Sequence, residues 1–152
     1  MTDDDNVFRD ADTAARAEIA ASQENRDQPV SLARQLTRLH QRGDLWPALK
    51  LAMEKVNTSD ESIAAGTYLQ RNRDALLQAC EWRLGGFTNT PRVRISKEEM
   101  ARHKLDHRSA YLLFMIDGQH TYEDLLQIAG VPELEGAYTF AWLHEAGIIE
   151  NA

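Results

Sequence analysis

Four of the five histidines (His103, His107, His120, His144), the single cysteine Cys80 and the run Asp106-His107-Arg108 are residues suited to metal or proton-transfer chemistry. Zinc sites draw on closely spaced His and Cys ligands in recognised pairs. The sequence contains no H-E-x-x-H and no C-x-x-C. His103 and His107 stand four residues apart, a spacing that shares one helix face, but Leu105-Asp106 between them reads as a helix boundary. A cysteine nucleophile needs a base, and no motif supplies one to Cys80. Asp106 sits where an N-cap is wanted, so capping accounts for the carboxylate in Asp106-His107-Arg108. No G-x-S-x-G occurs, and Gly85-Gly86 is not followed by Lys-Ser or Lys-Thr as a phosphate loop requires. These residues therefore point to no catalytic, cofactor or metal site.

The stretch Leu105 to Gly130 organises the chain. Tyr111 to Ile116 is an unbroken apolar run, YLLFMI, which reads as a core helix buried on most sides. Asp106 starts that helix, and Asp117-Gly118 is a turn dipeptide that ends it. Thr121 to Asp124 fits the [ST]-x-x-[DE] start of a second helix carrying Tyr122, Leu125, Leu126 and Ala129, stopped by Gly130. Pro132 belongs to the first turn of a third helix, where its missing N–H costs nothing. Leu134, Ala137, Tyr138, Ala141 and Trp142 form its apolar face. Gly147 ends it, and Ile148 to Glu150 form a short strand. Two short helices, a longer helix and a terminal strand follow the order of a winged-helix or helix-turn-helix unit.

Earlier in the chain, residues 1–28 are polar and read as a flexible tail, with an alanine-rich stretch at 11–21 that is helix-compatible but short of large apolar side chains. Ser31 to Arg42 is a helix with Leu32, Leu36 and Leu39 on one face. Gly43 ends it and Asp44 caps the next, whose face carries Leu45, Ala48, Leu49, Ala52 and Val56. A capping box at Thr58 to Glu61 predicts a long helix to about Leu84, with Leu69, Leu76, Cys80 and Leu84 inward. Phe87 to Pro91 is a linker. Arg92 to Ile95 alternates like a half-buried strand, and Ser96 to Glu99 starts a short helix. The two strand candidates have no other partner, so they are expected to pair antiparallel.

Charge narrows the function classes. The net charge is −7, which disfavours general binding to nucleic acid or anionic membranes. From Ser109 to Ala152 there are seven Asp and Glu and no Lys or Arg, whereas DNA binding needs cations against phosphates. Arg83 to Arg108 is the one basic region, with seven Lys and Arg against three acids. A single cysteine forbids an intramolecular disulfide and suits a reducing compartment. The N-terminus has no apolar signal core and no apolar run has spanning length, so a cytoplasmic protein without membrane insertion is expected.

Two resemblances follow from these motifs. The matches at Leu105, Asp106, His107, Arg108, Ile116, Asp117, Gly118, Glu123, Asp124, Leu125, Leu126, Gly130, Pro132, Gly147 and Ile148 resemble a C-terminal winged-helix-like module of uncharacterised myxobacterial and other deltaproteobacterial proteins. That resemblance covers roughly the last third of the chain and implies an accessory role beside signalling or repeat domains. RGDLWPALKLAMEKV resembles the turn and helix of a single tetratricopeptide unit, a type used for protein contacts.

The expected fold is mainly α: an N-terminal helical hairpin plus a long helix, then a winged-helix-like module with a short two-stranded sheet. The expected divisions are 1–28 (tail), 29–86 (repeat-like helices) and 87–152 (module). The expected function is a non-catalytic protein–protein interaction or adaptor role in bacterial signalling or regulation; the alternative is a winged-helix DNA-binding transcriptional regulator. The partner is another protein, and a homo-oligomer is compatible with the sequence. The expected contact residues are Arg92, Arg94, Lys97 and Arg102 with exposed Trp46 and Trp82, since Arg and Trp are favoured at binding hot spots.

Overall fold

The structure is a computed structural model, and it describes residues 31–58 and 60–152. The tail expected over residues 1–28, with its alanine-rich stretch, lies outside the described residues. The described chain is mainly α-helical with one small antiparallel sheet.

Helix α1 (Leu32–Gln41) starts at Ser31, whose hydroxyl accepts the Arg34 amide at 3.4 Å, and it buries Leu32 and Leu36. Gly43, at φ 79°, supplies the left-handed residue that turns the chain into α2 (Leu45–Lys55). Asp44 holds the N-cap position of α2 but makes no side-chain cap bond, contrary to expectation. Leu32, Leu36, Ala48, Ala52 and Ala65 close a small core between these helices and α3 (Ser62–Arg71).

The single long helix expected after residue 58 is two helices. Thr58 does not start it. Its hydroxyl donates to the Lys55 carbonyl at 2.8 Å and so closes the end of α2, while Glu61 occupies the N-cap of α3. The break comes at Asn72, where φ is −113° and ψ 19°. Its side-chain amide donates to the Tyr68 carbonyl at 2.9 Å, the kind of local bond by which Asn competes with a helical ladder. Helix α4 (Arg73–Arg83) follows and buries Leu76 and Cys80.

The remaining elements run β1 (Pro91–Val93), α5 (Lys97–Arg102), α6 (His107–Met115), α7 (Tyr122–Ile128), α8 (Glu133–Glu145) and β2 (Ile149–Asn151). Their start signals work as read. Ser96 accepts the Glu99 amide, Asp106 accepts the Ser109 amide at 2.8 Å, and Thr121 with Asp124 forms a reciprocal capping box. Pro132 stands at the N-cap of α8, one position before the first turn. The strands pair antiparallel, with Pro91 opposite Asn151 and Val93 opposite Ile149.

Helix α8 is the centre of the molecule. Leu134, Ala137, Phe140, Ala141 and Leu143 are buried along it, as are Gly136 and Thr139. It packs on α4, α6, α7 and β2. At Gly136 α7 approaches closely: a Cβ there would stand 2.7 Å from Leu126 Cδ2. One core therefore runs from Leu49, Leu76, Cys80 and Leu84 through α8 to Leu112, Tyr122 and Ile148. The expected linker is stapled into this arrangement. Phe87 and Asn89 carbonyls accept the Glu123 and Tyr122 amides, and Asn151 Nδ2 donates to the Leu84 carbonyl at 2.9 Å. The Tyr122 hydroxyl, deep in the core, donates to Asn151 Oδ1 at 2.8 Å.

The apolar run in α6 is not buried on most sides. Leu112 and Leu113 are buried, but Tyr111 is 46% exposed and Phe114 90%. A helix that packs on one neighbour can bury only one stripe, and among the described residues no element covers the other face of α6. Leu113→Ala should therefore cost about 2–5 kcal/mol in urea unfolding, and the adjacent Phe114→Ala no more than about 0.5 kcal/mol. Equal losses at the two positions would show that α6 is packed differently.

Candidate functional site

The six residues expected to contact a partner do not share one environment. Trp46 is buried, at 6% exposure, and the expectation of an exposed side chain there fails. Residue 46 falls on the α2 face that turns toward α8, so its indole is covered rather than presented. Its Nε1–H donates to Glu145 Oε2 at 2.8 Å, its ring lies 5.6 Å from that of Tyr138, and the Arg83 guanidinium stands over it at 4.6 Å. Lys50 completes the cluster, 3.4 Å from Glu145 Oε1. Burial works to raise the Glu145 carboxyl, but the Trp46 hydrogen bond and Lys50 outweigh it and hold the group below its ordinary value. Trp82, on α4, is 84% exposed and lines a shallow groove with Pro47 and Gly43.

The basic region divides in two. Arg92 pairs with Glu150 across the β-ladder at 2.8 Å, and Arg108 pairs with Glu135 at 3.1 Å. With Arg83 engaged on Trp46, these cations serve the fold. Arg94, Lys97, Arg102 and Lys104 are exposed and make no ion pair among the described residues.

The groups suited to chemistry are likewise engaged locally. Asp106 caps α6, and hydrogen bonding from Ser109 holds its carboxyl below the usual range. Asp117 accepts the Gln119 and His120 amides at 2.9 and 3.1 Å and faces His120 Nδ1 at 2.7 Å, which brings its carboxyl down to about 2. His103 is the C-cap residue of α5 and His107 opens α6, so the two do not share a helix. Among the described residues no group of three or more His, Cys, Asp or Glu is placed to hold a metal ion. Cys80 is fully buried, and burial pushes its thiol up to about 12 although Arg83 pulls the other way.

Two surface features were not singled out in the sequence. The first is an apolar strip. Tyr111 and Phe114 lie three apart on the outer face of α6. The Tyr111 hydroxyl donates to the Ala129 carbonyl at 3.0 Å, which brings that face against the end of α7, where Ile128 is 59% exposed. The second is a cleft of about 410 Å³ between the end of α2, the segment from Lys104 to Ser109, and α8. The outward stripe of α8, Glu135, Tyr138 and Trp142, lines it. The sequence places Tyr138 and Trp142 on the inward apolar face with Leu134, Ala137 and Ala141, and both are instead half-buried on this open side. The cover over the rest of α8, which leaves only this face open, was not legible.

No protein-family model matches the chain, and neither the curated proteins nor the solved structures provide a match. No helix among the described residues is long and apolar enough to cross a membrane.

Two measurements check this description. A carboxyl held low in the folded state contributes stability that is present above its unfolded pKa and lost as pH falls through its folded pKa. Wild-type stability should thus fall more between neutral pH and the acid end of the carboxylate range than that of Glu145→Gln; identical pH profiles would remove Glu145 from the account. Separately, a thiolate-directed disulfide reagent at neutral pH should label Cys80 only as fast as the protein opens, and at once in denaturant. Rapid labelling of the native protein would contradict its burial.

Proposed function

We propose that this protein is a non-catalytic interaction or adaptor protein, acting in bacterial signalling or regulation as its resemblances imply, and that it binds another protein through the α6–α7 face. The observation that carries this reading is the exposed strip of Tyr111, Phe114 and Ile128. Large apolar side chains gathered on a surface are the usual mark of an interaction site, and aromatic residues are enriched at the centres of such sites. The exposed cations Arg94, Lys97, Arg102 and Lys104, unpaired among the described residues, are suited to steering a partner with acidic groups.

The DNA-binding alternative draws less support. Its reading helix would be α8, whose outward stripe ends in Glu135 and Glu145 and whose other faces are covered. Carboxylates directed at phosphates oppose binding.

Affinity capture from native cell extract tests the proposal, using wild type, Phe114→Ser with Ile128→Ser, and Arg94→Glu with Lys97→Glu. Arg92 is avoided because a reversed charge there would face Glu150 across the ladder. All variants should keep the wild-type circular dichroism. The apolar pair should weaken capture about tenfold or more, equivalent to roughly 1.4 kcal/mol or more, and the charge pair should lower it less. Undiminished capture by both variants, or micromolar binding of duplex DNA by wild type in physiological salt, would overturn the proposal.

A further inference from the structure

The cleft beside α8 has a chemistry distinct from the apolar strip. Its volume of about 410 Å³ lies within the span of about 300–1,000 Å³ common to ligand pockets. Two aromatic side chains line it, Tyr138 and Trp142, together with the apolar Met53 and Val56 of α2. Neither the Tyr138 hydroxyl nor the Trp142 indole N–H is engaged in a hydrogen bond among the described residues.

The charges around the cleft do not balance. Arg108 and Glu135 neutralise each other at 3.1 Å. Glu54 makes no ion pair among the described residues, and Asp106, ionised by its capping role, has bonded Ser109 through Oδ1. Lys104 is the unpaired cation on the rim; it is exposed, and its long stem lets the ammonium turn to water. Burial first, then Glu145, Cys80, Glu54 and Asp106, push the Tyr138 phenol above its ordinary value.

We propose that this cleft receives a lysine or arginine side chain from an extended segment of a partner protein, its cation lying against Tyr138 and Trp142 and drawn by Glu54 and Asp106. Aromatic faces attract such cations, and the attraction grows as water is excluded. An anionic ligand would face the carboxylates of Glu54 and Asp106, and a purely apolar one would leave them without a partner. The assignment deepens the protein-binding reading and rests on it: it states what chemistry the partner must carry at a second point of contact.

The test uses the full chain and acetylated tetrapeptide amides with one central lysine or arginine, against matched peptides with norleucine or glutamate, followed by indole and backbone amide resonances. The cationic peptides should shift the Trp142 indole and the Lys104 to Ser109 amides saturably and leave the Trp82 indole in place. Glu54→Gln and Trp142→Leu should each weaken that binding about fivefold or more. Glu54 is exposed, so the first variant tests the site even where the second disturbs packing. The proposal is overturned by the absence of saturable shifts, by equal response to the norleucine or glutamate peptide, or by a matching shift at Trp82. If the peptides fail while Phe114-dependent capture persists, this assignment alone falls; loss of both brings down the protein-binding reading with it.

Discussion

Helix α8 is apolar around nearly its whole circumference, and the structure depends on covering it. A helix of that kind is stable in water only when other elements surround it. Phe140 meets the Tyr122 ring of α7, and α8 also packs on α4, which brings Leu76, Cys80 and Leu84 to the same core. The N-terminal and C-terminal helices consequently close one core, and the chain between them is held by backbone bonds to α7 and β2 rather than left as a free tether. At the edge of that core the Trp46 indole donates to Glu145, so a buried polar N–H is satisfied by an acid at the end of α8. The same covering decides which surfaces remain for function: one stripe of α8, which lines a cleft, and the outer face of α6.

Most start signals hold because a cap needs only its own first turn: Ser96, Asp106 and Thr121 accept the backbone amides that an N-cap should accept, whereas Asp44 makes no side-chain cap bond. The strand pairing was legible by elimination, since two short apolar-faced segments had no other partner. The helix after residue 58 was misread for two reasons. Thr58 and Glu61 have capping-box spacing, but the Thr58 hydroxyl completes the preceding helix instead. Asn72 then interrupts a periodicity that Leu69, Leu76 and Cys80 carry across the break. A hydrophobic repeat does not register a one-residue break when the face is kept on both sides.

Exposure was the less legible quantity. The run Tyr111 to Ile116 has the composition of a core helix, yet its outer face stands in solvent because nothing among the described residues lies over it. Trp46 shows the reverse: it sits beside a turn in sequence and is sealed by Tyr138 and Arg83, which come from distant helices. Cations that look alike in sequence differ for the same reason. Arg92 and Arg108 meet carboxylates placed by the fold, and Arg94 and Lys97 do not. Each difference depends on which elements meet, information that periodicity and charge counts do not contain.

The helices on either side of Gly86 share one core about α8. Residue-resolved amide hydrogen exchange under native conditions tests this directly, because each amide reports the free energy of the opening that exposes it. The slowest amides of α2, near Leu49, and those of α8, near Phe140 and Leu143, should report the same global unfolding free energy and shift together when Trp46 is replaced by Ala. Two separate free energies, differing by about 2 kcal/mol or more with only the α2 set responding to the substitution, would show two independent units instead of one core.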